Sequence, residues 1–364
     1  MPRHKVNNVT KRIAILGAGA IGASIGAYLI RSGYDVTVID QWAAHIEEMK
    51  RDGLTLTDVK ETFTVPVKAL HLHEVSAITD PFDIVYLAVK AYDTRWSTYL
   101  IEPMLKSGGF ILPAQNSFND ELVASIVGYN RTVGCVPTIS AGVYTPGHVV
   151  RTDPMTTHCF TVGELSGLIT PRVQEVVNSL QAIGPSTATT NIWGARWTKM
   201  VVNCMGNALA GLIGPNTAKL TKEQREVASL IRVNLGCEVI RVAQALGVVV
   251  EPISGISPTV FTEASTKADI KEIAAKLEKA RSQRRLSQEQ INNLGVPGRA
   301  SLLQDVIKGR RTEIEELNGL IVKKGKELNI STPMNQAIVN LMTALLKGEV
   351  SPEPENVDRL KLAS

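Results

Sequence analysis

The sequence predicts an α/β protein: an amino-terminal doubly wound parallel sheet, then a mostly α-helical carboxy-terminal domain. Three observations predict it. Short β-branched runs alternate with helical stretches up to about residue 190. Closely spaced glycines separate the first strand from the first helix. Beyond Trp193 strand signals thin out and long stretches of helical period take over. A chain of 364 residues with 44% apolar content can fill two cores. The expected domains are therefore residues 1–190 and 191–364.

The first strand is "RIAIL", a short buried run ending at Leu16. "GAGAIG" follows, with Gly17, Gly19 and Gly22 in G-x-G-x-x-G spacing, and "AIGASIGAYLIRSG" reads as a helix ending near Gly33. "DVTVID" is the next strand and ends in Asp40. In such a unit the first glycine makes the tight turn, the second lets backbone approach a pyrophosphate, and the third lets helix pack on strand. Ala20 and Ile21 open the helix, where unpaired N–H groups face phosphates. Asp40 stands 18 residues after Gly22, where an acid takes ribose hydroxyls. This is a Rossmann-type dinucleotide-binding unit; a glycine-rich structural turn is the alternative. The apolar run Ile13 to Ile30 imitates a secretory or membrane segment. Four glycines within it, and its continuation into a second β-branched run, argue against that reading.

"DIVYLAVK" from Asp83 to Lys90, "GFILPAQN" from Gly109 to Asn116, and "RTVGCVPTIS" read as further parallel strands, with helices such as "DTRWSTYLIEPMLKSG" between them. Ligands on open α/β sheets lie beyond the carboxyl ends of the strands. Lys90, Asn116 and Ser117 occupy those ends. A solvated lysine and a turn-forming asparagine are the plainer alternatives. "GVYTPGHVVRTDPMTTHCFTVGEL" reads as antiparallel strands at the sheet edge, Pro171 to Ile183 as a helix, and "PSTATTNI" as the last strand.

Four long helices are expected in the second half: "WGARWTKMVVNCMGNALAGLIG", "EQREVASLIRVNLGCEVIRVAQALG", "RTEIEELNGLIVKKGKELN" and "MNQAIVNLMTALLKG". The first carries Lys199, Asn203 and Asn207 at i, i+4 and i+8. At about 100° per residue they drift only about 40° per step, so they share one face. They form either a wet surface stripe or the polar wall of a cleft facing the nucleotide domain. All six histidines precede residue 190, so no histidine of the helical domain can donate a proton. If the chain is a dehydrogenase whose catalytic group lies on the second domain, Lys199 is the leading acid, since a desolvated lysine loses basicity. "HLH" at His71 to His73 has no third ligand nearby and reads as exposed strand or loop. Residues 261–294 form a charged segment whose core, with Ile270, Ile273, Leu277 and Ala280 on one face, reads as a surface amphipathic helix. The polar, proline-containing tail from Ser351 is expected to be loosely held.

Net charge is +4, spread along the chain, with a pI near 8.8. This balance suits small acidic substrates and argues against nucleic acid or membrane as partners. Cys135, Cys159, Cys204 and Cys237 lack CxxC spacing and read as buried, reduced thiols of a cytoplasmic protein.

In order along nearly the whole chain, the motifs resemble those of the ketopantoate reductase (2-dehydropantoate 2-reductase) family. "ILGAGAIG" resembles its fingerprint, "LAVKAYD" its strand-end lysine segment, and "PAQNSFNDE" its asparagine segment. "WTKMVVNCMGNAL" and "ASLLQDVIKGRRTEIEELNG" resemble its longest and most specific motifs. The resemblance implies an NAD(P)H-dependent reductase of a 2-oxo acid, with Lys90 and Asn116 as cofactor contacts. It implies Lys199 as catalytic acid and Glu313 as its orienter or as a ligand of a substrate hydroxyl. Asn203, Asn207 and Ser301 would hold the substrate. Glu313 as mere helix-dipole compensation and Ser301 as mere helix cap are the alternatives. It further implies a cytoplasmic homodimer of pantothenate biosynthesis.

Three departures matter. Asp40 followed by Gln41 stands where many members carry a basic residue, so NADH is favoured and NADP is the alternative. Ser117 stands where glycine is usual, and the 261–294 segment flanks the cleft. These leave open an NAD-dependent D-2-hydroxy acid dehydrogenase acting on another acid. A non-catalytic dinucleotide-binding protein is the reading from a different class.

Overall fold

The computed structural model describes residues 11–283 and 286–361, so His4 and positions 284–285 of the charged segment lie outside the described residues. The chain divides into two compact units. One comprises the residues up to Gln115, Asn119–Arg151 and Thr156–Ala188; the other comprises Asn116–Phe118, Thr152–Met155 and the chain from Thr189 onward. Instead of a single crossing near residue 190, two short earlier segments belong to the second unit.

The first unit is built on strands β1 (Arg12–Leu16), β2 (Asp35–Asp40), β3 (Leu54–Thr57), β4 (Thr62–Val65), β5 (Lys68–His71), β6 (Phe82–Leu87) and β7 (Leu105–Pro113). Five of these form a parallel sheet in the order β5-β2-β1-β6-β7. Helices α1 (Ala20–Arg31), α2 (Ala43–Asp52), α3 (Thr94–Ile101) and α4 (Asp120–Val127) connect them. Alternation along β1 explains the double winding. Ile15 points to α1 at Gly22 and Gly26, while Ala14 and Leu16 join Ile101 of α3 and Val123 and Val127 of α4 in one apolar cluster. With both faces covered, the central strands are apolar and buried apart from Arg12 and Asp83.

The remaining strands correct the sequence reading. β8 (Val133–Pro137) is not a further strand of the parallel sheet. It pairs antiparallel with β11 (Phe160–Glu164) in a three-stranded sheet completed by β12 (Ser186–Ala188), and the residue just before it, Thr132, bridges Ile111 of β7 in parallel. β9 (Ala141–Thr145) and β10 (His148–Arg151) do pair antiparallel, but in a separate sheet with β3 and β4. The helix expected over Asp93–Gly108 ends at Ile101. Leu105 is already β7, pairs with Phe82 and is buried, because Pro103 breaks the turn and the edge pairing wins. Helix α5 (Pro171–Leu180), capped by Thr170, precedes β12.

The second unit is helical. Helix α6 (Ile192–Ile213) starts at an Asn191 cap and stops at Gly214; α7 (Lys222–Ala245) starts in a Thr221/Gln224 capping box. Then come α8 (Pro258–Glu263), α9 (Lys267–Ser282), α10 (Gln288–Leu294) and α11 (Ser301–Ile307). The third expected helix opens instead as a π-helical turn, Glu315–Gly319, that runs into α12 (Leu320–Glu327). α13 (Pro333–Leu346) and α14 (Asn356–Lys361) close the unit. In the charged segment, Ile273 of α9 is buried, and Ile270, Ala274 and Leu277 pack on the same core. The tail is not loosely held. Val357 and Leu360 are buried, the Asn356 amide donates to the Leu212 carbonyl at 2.9 Å, and the Glu353 N–H reaches the same carbonyl at 2.9 Å. Its polar composition hides two apolar residues three apart, each worth roughly 1.5–3 kcal/mol when buried.

Candidate active site

The glycine turn lies between β1 and α1. Gly17 has φ +100°, and a Cβ there would stand 2.6 Å from the Val89 nitrogen just past β6. Only glycine satisfies both demands. A Cβ on Gly22 would overlap the Gly17 carbonyl oxygen. On Gly19 a Cβ would meet nothing within 4 Å, and no side chain caps the first turn of α1. Ala20, Ile21 and Gly22 therefore present first-turn N–H groups beside an open cradle. That cradle fits a dinucleotide pyrophosphate.

Asp40 at the end of β2 is held on both oxygens. Oδ2 accepts the Ala18 N–H at 2.6 Å, and Oδ1 accepts the Trp42 N–H at 2.7 Å. A residue that sequence reasoning left without a role completes this turn. Buried His45 accepts the Gly147 N–H on Nδ1 at 2.7 Å and donates from Nε2 to the Ala18 carbonyl at 3.0 Å. Burial pushes its pKa down, which suits this neutral tautomer. Its signal was position: with Ile46 and Met49 it forms the buried face of α2. Lys90 is half-buried, one residue beyond the Val89 backbone that abuts Gly17. Gln115, also missed, ties two strand ends by donating to the Val89 carbonyl at 2.8 Å and to Thr94 Oγ1 at 2.9 Å.

In the second unit, α6 carries Lys199, Asn203 and Asn207 on one face. Two of the three make amide contacts with distant parts of the chain. Asn203 is buried, and its Nδ2 donates to Asn116 Oδ1 at 3.1 Å. Asn207 Nδ2 donates to Ser301 Oγ at 3.1 Å. The line is thus not a wet stripe, and Ser301 is not the cap of α11. Ala300 holds the cap position, and the Ser301 hydroxyl faces Asn207.

Lys199 is half-buried, and burial lowers its amine to about 8 against the opposing charge of Asp153. Asp153 was missed because "RTDPM" reads as turn chemistry. It is buried within one of the two segments that join this unit early, and its neighbour Thr152 lies against Gly298, three residues before Ser301. Glu313 is 3% exposed, so it is no solvated dipole compensator. It stands two residues before the π-helical turn, a feature frequent at functional sites.

Residues 116–118 meet this unit at three points. Asn116 pairs with Asn203, the Ser117 hydroxyl donates to the Glu316 carbonyl at 2.6 Å, and the Phe118 ring packs on Trp197 at 4.7 Å. Ser117 has φ +70°, a left-handed conformation costing a side-chain-bearing residue about 1–2 kcal/mol. Burial raises the carboxyl pKa of Glu316. Among the described residues no helix is long and apolar enough to cross a membrane.

Known proteins match over the same span. The family model described as Ketopantoate reductase PanE/ApbA matches residues 13–166, and the one described as Ketopantoate reductase PanE/ApbA C terminal matches residues 191–346. A 2-dehydropantoate 2-reductase of Archaeoglobus fulgidus is 29% identical over 345 residues, covering 93% of this chain and 99% of its own. Another, of Aquifex aeolicus, is 26% identical and covers 92% and 96%. Among solved structures, D-mandelate dehydrogenase with NADH and anilino(oxo)acetate superposes with a TM-score of 0.73 at 24% identity, over 93% of this chain and 100% of that one. A PanE/ApbA family ketopantoate reductase from Ralstonia eutropha JMP134 gives 0.70 at 24%, over 93% and 99%. At these identities the two structures establish a shared fold. With both family models matched in order, the chain belongs to the ketopantoate reductase family, oxidoreductases that act on a CH–OH group.

Proposed function

We propose that the chain reduces a 2-oxo acid to the 2-hydroxy acid, ketopantoate to pantoate being the first pair to test, with NADH preferred over NADPH. One observation carries the reading: a lysine whose amine sits near 8 shares a helix face with two amide groups already engaged by Asn116 and Ser301. Gly17, Gly19, Gly22 and the N–H groups of Ala20 and Ile21 would hold the dinucleotide pyrophosphate. Asp40 would take the ribose, and Lys90 and Asn116 would serve as further cofactor contacts. When bound, the reduced nicotinamide supplies a hydride. Lys199 Nζ would polarise the acid's 2-oxo group and give its oxygen, as negative charge develops there, the proton that completes the hydroxyl.

An ammonium near 8 is a stronger acid than ordinary lysine, yet roughly nine-tenths of it is charged at pH 7, so it both polarises the carbonyl and donates. Asn203, Asn207 and Ser301 would orient the acid's carboxylate and hydroxyl groups, and Glu313 would orient Lys199 or a substrate hydroxyl. The Asp40 carboxylate, fixed by two backbone donors, would repel a 2′-phosphate. Four buried free cysteines support a reducing compartment, which the proposal takes to be the cytoplasm. It also includes a homodimer, by analogy with the dimeric ketopantoate reductase from Staphylococcus aureus.

The test is a panel of 2-oxo acids, ketopantoate and an aryl 2-oxo acid included, each assayed with NADH and NADPH. Turnover of ketopantoate with NADH supports the first reading. Turnover confined to another acid makes the chain a D-2-hydroxy acid dehydrogenase of the same scaffold. Cofactor binding without turnover of any acid leaves a dinucleotide-binding protein and ends the proposal.

A further inference from the structure

The contacts around residues 116–118 close a ring that begins and ends on adjacent residues of α6. Asn203 donates to Asn116. Ser117, next in the chain, donates to the Glu316 carbonyl in the π-helical turn. Two residues on, Asn318 Nδ2 donates to the Cys204 carbonyl at 3.3 Å and to Asn335 Oδ1 at 2.9 Å. The turn is held from behind as well, because Glu238 of α7 accepts the Asn335 side-chain amide at 2.7 Å and the Met334 and Asn335 N–H groups at 2.8 and 2.9 Å. Within the ring itself, every link but one joins a side-chain amide to another amide or to a backbone carbonyl. The exception is a serine hydroxyl on a residue with φ +70°. A side-chain-bearing residue stays left-handed only where its surroundings over-determine it. Here the hydroxyl bond does so, and the reversal it enforces sends Asn116 to Asn203 and Phe118 to Trp197.

We infer that Ser117 is a positioning residue: by closing this ring it sets the Asn116–Asn203 amide pair one helical turn from Lys199, and so governs the chemical step more than cofactor affinity. The inference rests on the functional reading above for its kinetic consequence, though not for its geometry. Ser117→Ala removes the hydroxyl and keeps the left-handed strain. Ser117→Gly removes the hydroxyl and the strain together. Ser117→Asn tolerates the conformation and restores a donor.

The experiment measures kcat, KM for the acid, Kd for NADH and thermal stability on these three full-length variants, and the side-chain amide NMR signals of Asn116 and Asn203. Expected are a roughly five- to tenfold lower kcat for Ser117→Ala, a smaller loss of NADH affinity through Asn116, and displaced Asn116 and Asn203 signals. Ser117→Gly should keep wild-type stability but not wild-type kcat, and Ser117→Asn should recover most of the rate. Wild-type kcat and KM in Ser117→Gly, or amide signals that do not move in Ser117→Ala, would overturn the inference. If the wild-type protein turns over no 2-oxo acid, the functional reading fails on its own, and the amide signals still decide whether Ser117 sets the pair.

Discussion

The glycine turn of the first unit and the polar face of α6 solve opposite problems. At the turn, side chains are removed so that backbone can act: Gly17 and Gly22 have no room for a Cβ, and the groups on offer are N–H donors. On α6 the backbone is consumed by the helix and the side chains act: an amine near 8, two amides and a hydroxyl brought from α11. A site made by omission is written locally, in spacing. A site made of side chains depends on partners far along the chain. It should therefore fail through lost chemistry, whereas the turn should fail through lost space.

The largest expected effect tests the chemistry. Lys199→Ala should lower kcat about 10³-fold while NADH affinity, measured by fluorescence titration, stays within twofold. The wild-type pH profile sharpens this. A base whose pKa is lowered by burial gives up its proton early, so the donor form exists below about 8 and kcat should fall about tenfold per pH unit above it. A flat profile to pH 10 would remove Lys199 from the proton transfer. Next comes space: Gly22→Ala places a methyl against the Gly17 carbonyl and should cost about 2–3 kcal/mol in a denaturant titration, with NADH binding weakened at least tenfold. Unchanged stability would mean that the turn gives way cheaply.

Asp40→Ala should reduce the ratio of NADH to NADPH efficiency by about tenfold, and an unaltered ratio would take Asp40 away from the ribose. The smallest effect is the most diagnostic of side-chain partnership. A double-mutant cycle on Asn207→Ala and Ser301→Ala should return about 0.5–1.5 kcal/mol of coupling in kcat/KM, whereas strict additivity would mean that the 3.1 Å contact has no part in catalysis.

What could be read in advance follows the same division. The β1–α1–β2 unit was legible because Gly17, Gly19, Gly22 and Asp40 state it within one short stretch. The common face of Lys199, Asn203 and Asn207 was legible from helical period alone. Their placement beside Asn116 and Ser301 was not, since no local pattern pairs residues 87 or 94 positions apart. The family motifs named those two residues without saying what they touch. Asp153 and His45 escaped because turn-rich and amphipathic stretches disguise a buried charge and a buried imidazole as ordinary turn and helix residues. The tail escaped because proline and charge outweigh Val357 and Leu360 in any window. β8 reads as one more parallel strand because a buried apolar run carries no sign of its partner's direction.

The 22-residue run of α6 also works as a ruler. Its graduations fall every four residues, about 6 Å apart at 1.5 Å per residue, with Lys199 at the zero mark on the proposed chemistry. On that proposal, a molecule gripped at Asn203 would be shorter than one gripped at Asn207 by one graduation. Redesign toward longer or shorter acids then becomes a matter of sliding an amide along the scale by one turn, with the proton donor left where it stands.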